Sequence, residues 1–388
     1  MSLLADSIAE LDRLVAFPTV SARPNIDMAR HLARRLADLG ARVELIATPD
    51  GTKANVLASL GPEGDGGIVL SGHTDVVPVE DQEWSTDPFA LHQADGRLYG
   101  RGTCDMKGFI AACMAVAPRL AARELRRPLH FAFTYDEETG CLGAQHLVET
   151  LRARRLRPAL AIIGEPTSMR MVEGHKGCCE YTTIFTGREG HGSDPGRGVN
   201  AVEYAVRYAA RLLELRADLT ARAPDPSRFD PPWTTINLGR LSGGQVHNVI
   251  PPRAEIDWEM RPVTQADADH VRASLARLVE EELLPEMRRT APESAIETRV
   301  IGEVAGLVPM EENAARDLVA ALTGANAADC VPFGTEAGLF QSLGMSVVVC
   351  GPGAIAQAHK ADEYLETAQL EACLDMLTAL EADLVRDR

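Results

Sequence analysis

Five short apolar runs in this chain each stop at a loop that carries a carboxylate or a histidine. Ile68-Val69-Leu70 runs into Ser71-Gly72-His73-Thr74-Asp75, and the run 129–135 stops at Asp136-Glu137-Glu138. Leu160-Ala161-Ile162-Ile163 leads into Gly164-Glu165-Pro166-Thr167. Val347-Val348-Val349-Cys350 leads through Gly351-Pro352-Gly353 to Ala358-His359-Lys360. The fifth, Leu98-Tyr99, passes through Gly100-Arg101-Gly102-Thr103-Cys104-Asp105-Met106-Lys107-Gly108 into an Ala-rich helical stretch. Strands that alternate with helices predict an α/β fold, a mainly parallel sheet with helices on both faces. Ligands of such open sheets gather at the carboxyl ends of the strands. These five loops should therefore converge on one edge.

The loops carry the chemistry of hydrolysis. On an extended or turning backbone, adjacent side chains point to different sides. Of the pair Glu137-Glu138, one carboxylate can hold a metal while the other faces the substrate as a proton shuttle. His73, Asp105, Glu165 and His359 then complete a donor set large enough for two metal ions. Asp75, two residues beyond His73, has a carboxylate suited to accept the ring's other N–H and so to free one nitrogen for metal. A histidine or an acidic pair alone is usually a solvated loop group, and His31, His92, His130, His146, His175, His247 and His270 read as surface or structural.

Residues 178–302 read as a separate unit. Residues 179–186 alternate like a half-buried strand, and 199–215 form an Ala- and Arg-rich helix with an apolar stripe. Pro224, Pro226, Pro231 and Pro232 mark a long loop. Strands at 233–241 and 254–262, a helix at 266–286 and a strand at 296–301 complete a βαββαβ order, that of an α+β layer. Residues 1–177 and 303–388 then form the metal-binding catalytic domain, closed by a helix over 367–388.

Composition excludes several classes of function. The net charge of −17 disfavours a nucleic-acid surface, because phosphate backbones attract clustered Lys and Arg. No run approaches the roughly 18 apolar residues of a membrane span. Asp6, Glu10 and Asp12 interrupt the first apolar stretch, so it is no signal peptide. The eight cysteines lack CxxC spacing and read as reduced thiols, which fits a cytoplasmic enzyme. Only four of the 39 basic residues are lysines, Lys53, Lys107, Lys176 and Lys360. Where arginine is the habitual cation, a retained lysine suggests a compact charge that the guanidinium cannot replace.

The order and wording of these segments resemble the co-catalytic zinc peptidase and deacylase family. The likeness runs from Phe17-Pro18-Thr19-Val20-Ser21 to Ala358-His359-Lys360 and includes Asp136-Glu137-Glu138-Thr139-Gly140 and Gly164-Glu165-Pro166-Thr167. It implies that Asp105 bridges two metals, His73 and Glu165 completing one site and Glu138 and His359 the other. Glu137 would be the general base, Asp75 the partner of His73, and the Asp105–Met106 peptide cis. Two zinc ions per subunit are expected, although cobalt or manganese suits the same donors. Residues 178–302 would be an inserted lid through which two copies dimerise. His191, in Gly190-His191-Gly192-Ser193, would reach the partner's active site and stabilise the oxyanion; relatives usually have Ala at the place of Gly192.

The substrate implied is a small N-acyl amino acid. Asn248 and Arg261 match lid positions that contact substrate in relatives, and Arg261 could clamp an α-carboxylate through paired hydrogen bonds. In Gly334-Thr335-Glu336-Ala337-Gly338-Leu339, leucine stands where the desuccinylases carry arginine. That loss of a cation argues against a dicarboxylic acyl group, and Glu336 would suit an ammonium-bearing side chain. The expected reaction is hydrolysis of N2-acetyl-L-ornithine to acetate and L-ornithine, a step of arginine biosynthesis. A desuccinylase, aminoacylase or dipeptidase of the same family is the alternative, and a non-catalytic binding paralogue a more distant one.

Overall fold

The computed structural model of the chain describes residues 2–386. Two compact units share it. One extends to Gly174 and takes up Pro309–Cys330 and the chain from Thr335 onward; the other comprises His175–Val308 with Val331–Gly334. The divisions thus fall a few residues from the expected 177/178 and 302/303. The connecting segments explain the difference, because the His175 N–H donates to the Leu307 carbonyl at 3.0 Å. The two crossings pair with each other and belong to the second unit.

The first unit is built on an eight-stranded sheet. Its order is Arg42–Ala47, Ala54–Leu60, Leu129–Thr134, Ile68–His73, Leu160–Pro166, Ser346–Gly351, Met171–His175 and Ala328–Val331. The four strands from Leu129–Thr134 to Ser346–Gly351 run parallel. Antiparallel pairs lie to either side of them. The α/β reading therefore holds, with a mixed sheet whose parallel part is central. These four strands are almost wholly buried, which is why they appear as unbroken apolar runs.

Helix Gly108–Ala121 is apolar nearly all round and buried over most of its length, as a helix between layers must be. Leu3–Val15 and Thr367–Leu384 pack on it. The last helix was expected to reach residue 388; it ends at Leu384, and residues 387–388 lie outside the described part. Gly164 permits the close approach beneath the site, since a Cβ there would lie 2.0 Å from the Phe109 ring.

His130, on strand Leu129–Thr134, is 3% exposed and bonds the Ser59 hydroxyl through Nδ1 at 2.8 Å. Burial, aided by the charge of Arg42, pushes its pKa down to about 4, against about 6.5 in an unfolded chain. The unfolded state binds more protons in this window, so stability falls as the pH drops from about 6.5 towards 4. A His130→Asn protein lacks that loss. Its stability should fall by on the order of 1–2 kcal/mol less than the wild type's between about pH 7 and pH 5. Melting curves that shift in parallel would show that the ring takes up its proton freely.

The second unit is a four-stranded antiparallel sheet in the order Thr235–Gly243, Arg253–Arg261, Cys178–Thr186 and Ala295–Val304. Helix Ala201–Ala221 packs on the sheet and against Gln265–Arg277. The main elements follow the βαββαβ order. Asn200 caps the first helix by accepting the Val202 and Glu203 N–H groups, a contribution of about 1 kcal/mol. Tyr181 stacks on Trp258 at 4.4 Å in the core, with Phe185, Tyr208 and Leu212 around them.

Candidate active site

Parallel neighbours end on the same side of a sheet, so the loops after the four central strands meet. His73 is the last residue of Ile68–His73, Glu165 lies near the end of Leu160–Pro166, and Glu137 and Glu138 follow Leu129–Thr134. Asp105 sits in the irregular turn Thr103–Lys107, before a cis Asp105–Met106 peptide. The sequence-predicted metal-ligand candidates come together in the first unit.

Their geometry is ordered around one carboxylate. His73 Nε2 lies 2.9 Å from Asp105 Oδ1 and 3.8 Å from Glu165 Oε1. His359 Nε2 lies 3.4 Å from Asp105 Oδ2 and 3.0 Å from Glu138 Oε2. The two oxygens of Asp105 thus face two different imidazoles, each with a second carboxylate beside it. Donor atoms of His73, Asp105 and Glu138 lie within 4.8 Å of one another, as do those of His73, Glu137 and Glu165.

The electrostatics favour positive charge here. Burial, and then neighbouring carboxylates, push Glu165 well above the usual carboxylate range and Glu137 up to about 8. Burial opposes ionisation of Asp105 too, but hydrogen bonds from His359 and His73 hold it below its ordinary value. Hydrogen bonds to Asp105 and Glu138 raise His359 to about 10. A proton on an imidazole or a divalent ion would satisfy this field. A cation also fits the buried Glu165 Oε1, which has no hydrogen-bond partner among the described residues. The imidazole and carboxylate donors are those zinc takes.

Several side chains differ from expectation. Asp75 presents its main-chain oxygen to His73 Nδ1 at 2.9 Å, whereas its carboxylate stands 3.6 Å away. Within ion-pair distance of the His73 ring, that carboxylate also accepts the Glu137 N–H at 3.0 Å, the Glu138 N–H at 3.3 Å and the Ser21 hydroxyl at 2.7 Å. It holds the turn of the acidic pair. Glu336 was expected to meet a substrate ammonium; it is fully buried, and its oxygens accept the Ser71 hydroxyl at 2.5 Å and the Thr134 hydroxyl at 2.7 Å. Its carboxyl group ties the strands Ile68–His73 and Leu129–Thr134 together. Thr335 is 2% exposed and accepts the Ala337 N–H at 3.1 Å, at the start of a short helix.

The remaining candidates lie in the second unit. His191 pairs with Val249 in a two-residue ladder, and the Gly192 N–H donates to the Asn248 carbonyl at 2.8 Å. His191 and Asn248 therefore lie side by side at one short antiparallel ladder, with the imidazole exposed. Arg261, at the end of its strand, is engaged by Glu259 at 2.7 Å. Gly334 borders Cys178 and Lys176. Three of the four lysines have compact roles. Lys53 donates to Asp136 and to the Ser21 carbonyl, Lys107 to the Phe17 carbonyl, and Lys176 to the Trp233 carbonyl.

The fold and the convergent acidic and imidazole groups define a metal-dependent hydrolase. Residues 69–382 match peptidase family M20/M25/M40, and the chain belongs to that family. It is 37% identical over 372 residues to acetylornithine deacetylase of Shigella sonnei (strain Ss046), covering 94% of each chain. Among solved structures it resembles an M20 family metallo-carboxypeptidase from Sulfolobus solfataricus, with a TM-score of 0.75 and 18% identity over 97% of this chain and 98% of that one. It also resembles a dinuclear metal-binding peptidase of the M20 family from Bacillus subtilis, with a TM-score of 0.64 and 17% identity over 99% and 98% of the two chains. At these identities the two structures bear on the fold alone. Among the described residues, no helix is long and apolar enough to cross a membrane.

Proposed function

We propose that the protein hydrolyses the amide of N2-acetyl-L-ornithine to acetate and L-ornithine, in the cytoplasm and as a step of arginine biosynthesis. The observation that carries the hydrolytic part is the division of the Asp105 oxygens between His73 and His359. His73 and Glu165 would hold one ion, Glu138 and His359 the other, with Asp105 shared. When bound, two such ions, zinc by donor type, lower the pKa of water and polarise the amide carbonyl.

The chain's own residues supply the rest. Asp75 fixes the Glu137-Glu138 turn through two main-chain N–H groups, so that Glu138 serves as a ligand and Glu137 remains available for proton transfer. Glu137 takes a proton from the attacking water as oxygen adds to the acyl carbon. It returns that proton to the nitrogen as the C–N bond breaks. His191, from the second copy of a homodimer formed through the lid, would donate to the oxyanion. Asn248 and Arg261 would hold the amino-acid part, Arg261 after exchanging Glu259 for the substrate carboxylate.

Similarity to a deacetylase over 94% of the chain supports the acetyl group, as does Leu339 in place of the desuccinylases' arginine. A panel of acetylornithine, succinyl-diaminopimelate and acetylmethionine tests it, with acetate or succinate release measured. Acetylornithine should have the highest kcat/KM, by about tenfold or more, since buried polar groups left unpaired by the wrong substrate cost at least that much. Faster succinate release, or preference for acetylmethionine, would transfer the protein to a neighbouring activity of the family.

A further inference from the structure

We propose that Arg101, Glu363 and Gln82 form a positioning network that sets the spacing of Asp105 and His359, and that Gln82 governs one metal site alone. Glu363 and Arg101 are each about 1% exposed and pair at 2.7 Å. Glu363 Oε1 accepts the main-chain N–H groups of Cys104 at 2.9 Å and Asp105 at 3.0 Å, and Oε2 accepts that of Gly102 at 3.0 Å. One buried carboxylate thus gathers three main-chain donors from the four residues 102–105, the loop that aims Asp105. The buried charge of Arg101 balances it.

Arg101 carries the connection onward. Its second terminal nitrogen donates to Gln82 Oε1 at 2.5 Å, and Gln82 Nε2 donates to the His359 carbonyl at 2.9 Å. Arg101 also meets the carbonyls of Lys360 and Pro78 at 3.3 Å. His359 has φ +61°, a left-handed conformation that side-chain-bearing residues seldom adopt unless their surroundings hold them there. The path therefore runs from the Asp105 N–H through Glu363, Arg101 and Gln82 to the His359 carbonyl. The side chains at its two ends stand 3.4 Å apart.

The two ends of the path have different consequences. Asp105 belongs to both donor groups, whereas His359 belongs only to the group with Glu138. A change at Gln82 should loosen that group and spare His73 and Glu165; a change at Glu363 should weaken both. Supports of this kind are worth roughly 10–100-fold in metal affinity.

The proposal rests on the two-metal reading above, and a test at Gln82 separates the two. Loss of Arg101 or Glu363 would leave a buried charge unpaired and endanger folding, but Gln82 is partly exposed. Gln82→Glu keeps an acceptor for Arg101 and loses the donor to His359; Gln82→Ala loses both. Metal-free protein is titrated with zinc by calorimetry and chelator competition, with melting of the metal-free form as the folding control. The wild type should bind two ions, and both variants should weaken one of them by roughly 10–100-fold with the other unchanged. Two ions bound as in the wild type, or both weakened alike, would overturn the positioning role. Fewer than two ions on the wild type would defeat the two-metal reading itself, and this proposal with it.

Discussion

Replacing Glu137 by Gln should leave two metals on the protein while turnover falls by roughly 10²–10⁴-fold, the usual contribution of a positioned acid–base group. The amide preserves size and hydrogen bonding but cannot take the water's proton. The assignment within the acidic pair needs this test, because donor atoms of Glu137, Glu165 and His73 also cluster within 4.8 Å. Loss of a metal, measured by elemental analysis, would show that Glu137 is a ligand and that the pair is assigned backwards. The same protein probes the dimer. Mixed with His191→Ala, it should regain activity, since in mixed dimers one site joins an intact Glu137 to an intact His191 from the other copy. Verified subunit exchange without recovery would remove the trans role of His191.

Substitution of Asp105 by Ala should have the larger effect on metal content, abolishing both ions and activity together. Glu165→Ala and His359→Ala should each cost chiefly one. The reason is geometric. Asp105 presents one oxygen to His73 and the other to His359, so only its removal opens both groups. Zinc should raise the melting temperature of the wild type by linkage, since an ion that binds the folded state stabilises it in proportion to RT ln(1 + [L]/Kd). The Asp105→Ala protein should show almost none of that rise. If Asp105→Ala keeps one ion at wild-type affinity, the carboxylate is not shared and the two sites are independent.

The groups that converge at the candidate site were legible in the chain. His73, Asp105, Glu138, Glu165 and His359 end or follow strand-like or Gly-rich segments, and parallel strands buried on both faces must be written as continuous apolar runs. That local rule identifies the strand ends, and the parallel pairing of the four central strands brings their ends to one side. The βαββαβ unit was legible for a related reason, since alternating burial along residues 178–186 is a period-two pattern.

What remained hidden was the partner of each charged group. Nothing near Glu336 distinguishes a buried tie to Ser71 and Thr134, 265 and 202 residues away, from a pocket acid. Asp75 lies two residues from His73, but nothing local shows that its carboxylate also holds the Glu137-Glu138 backbone. Glu363 is one of 56 acidic residues, and only the folded chain brings it to Arg101, 262 residues earlier. Residue type and local periodicity determined which strands form and which donors stand at their ends. Sheet order, burial and the requirement that every buried charge find a partner decided which of those donors converge and which tie the backbone around them in place, and these depend on contacts that no local pattern encodes.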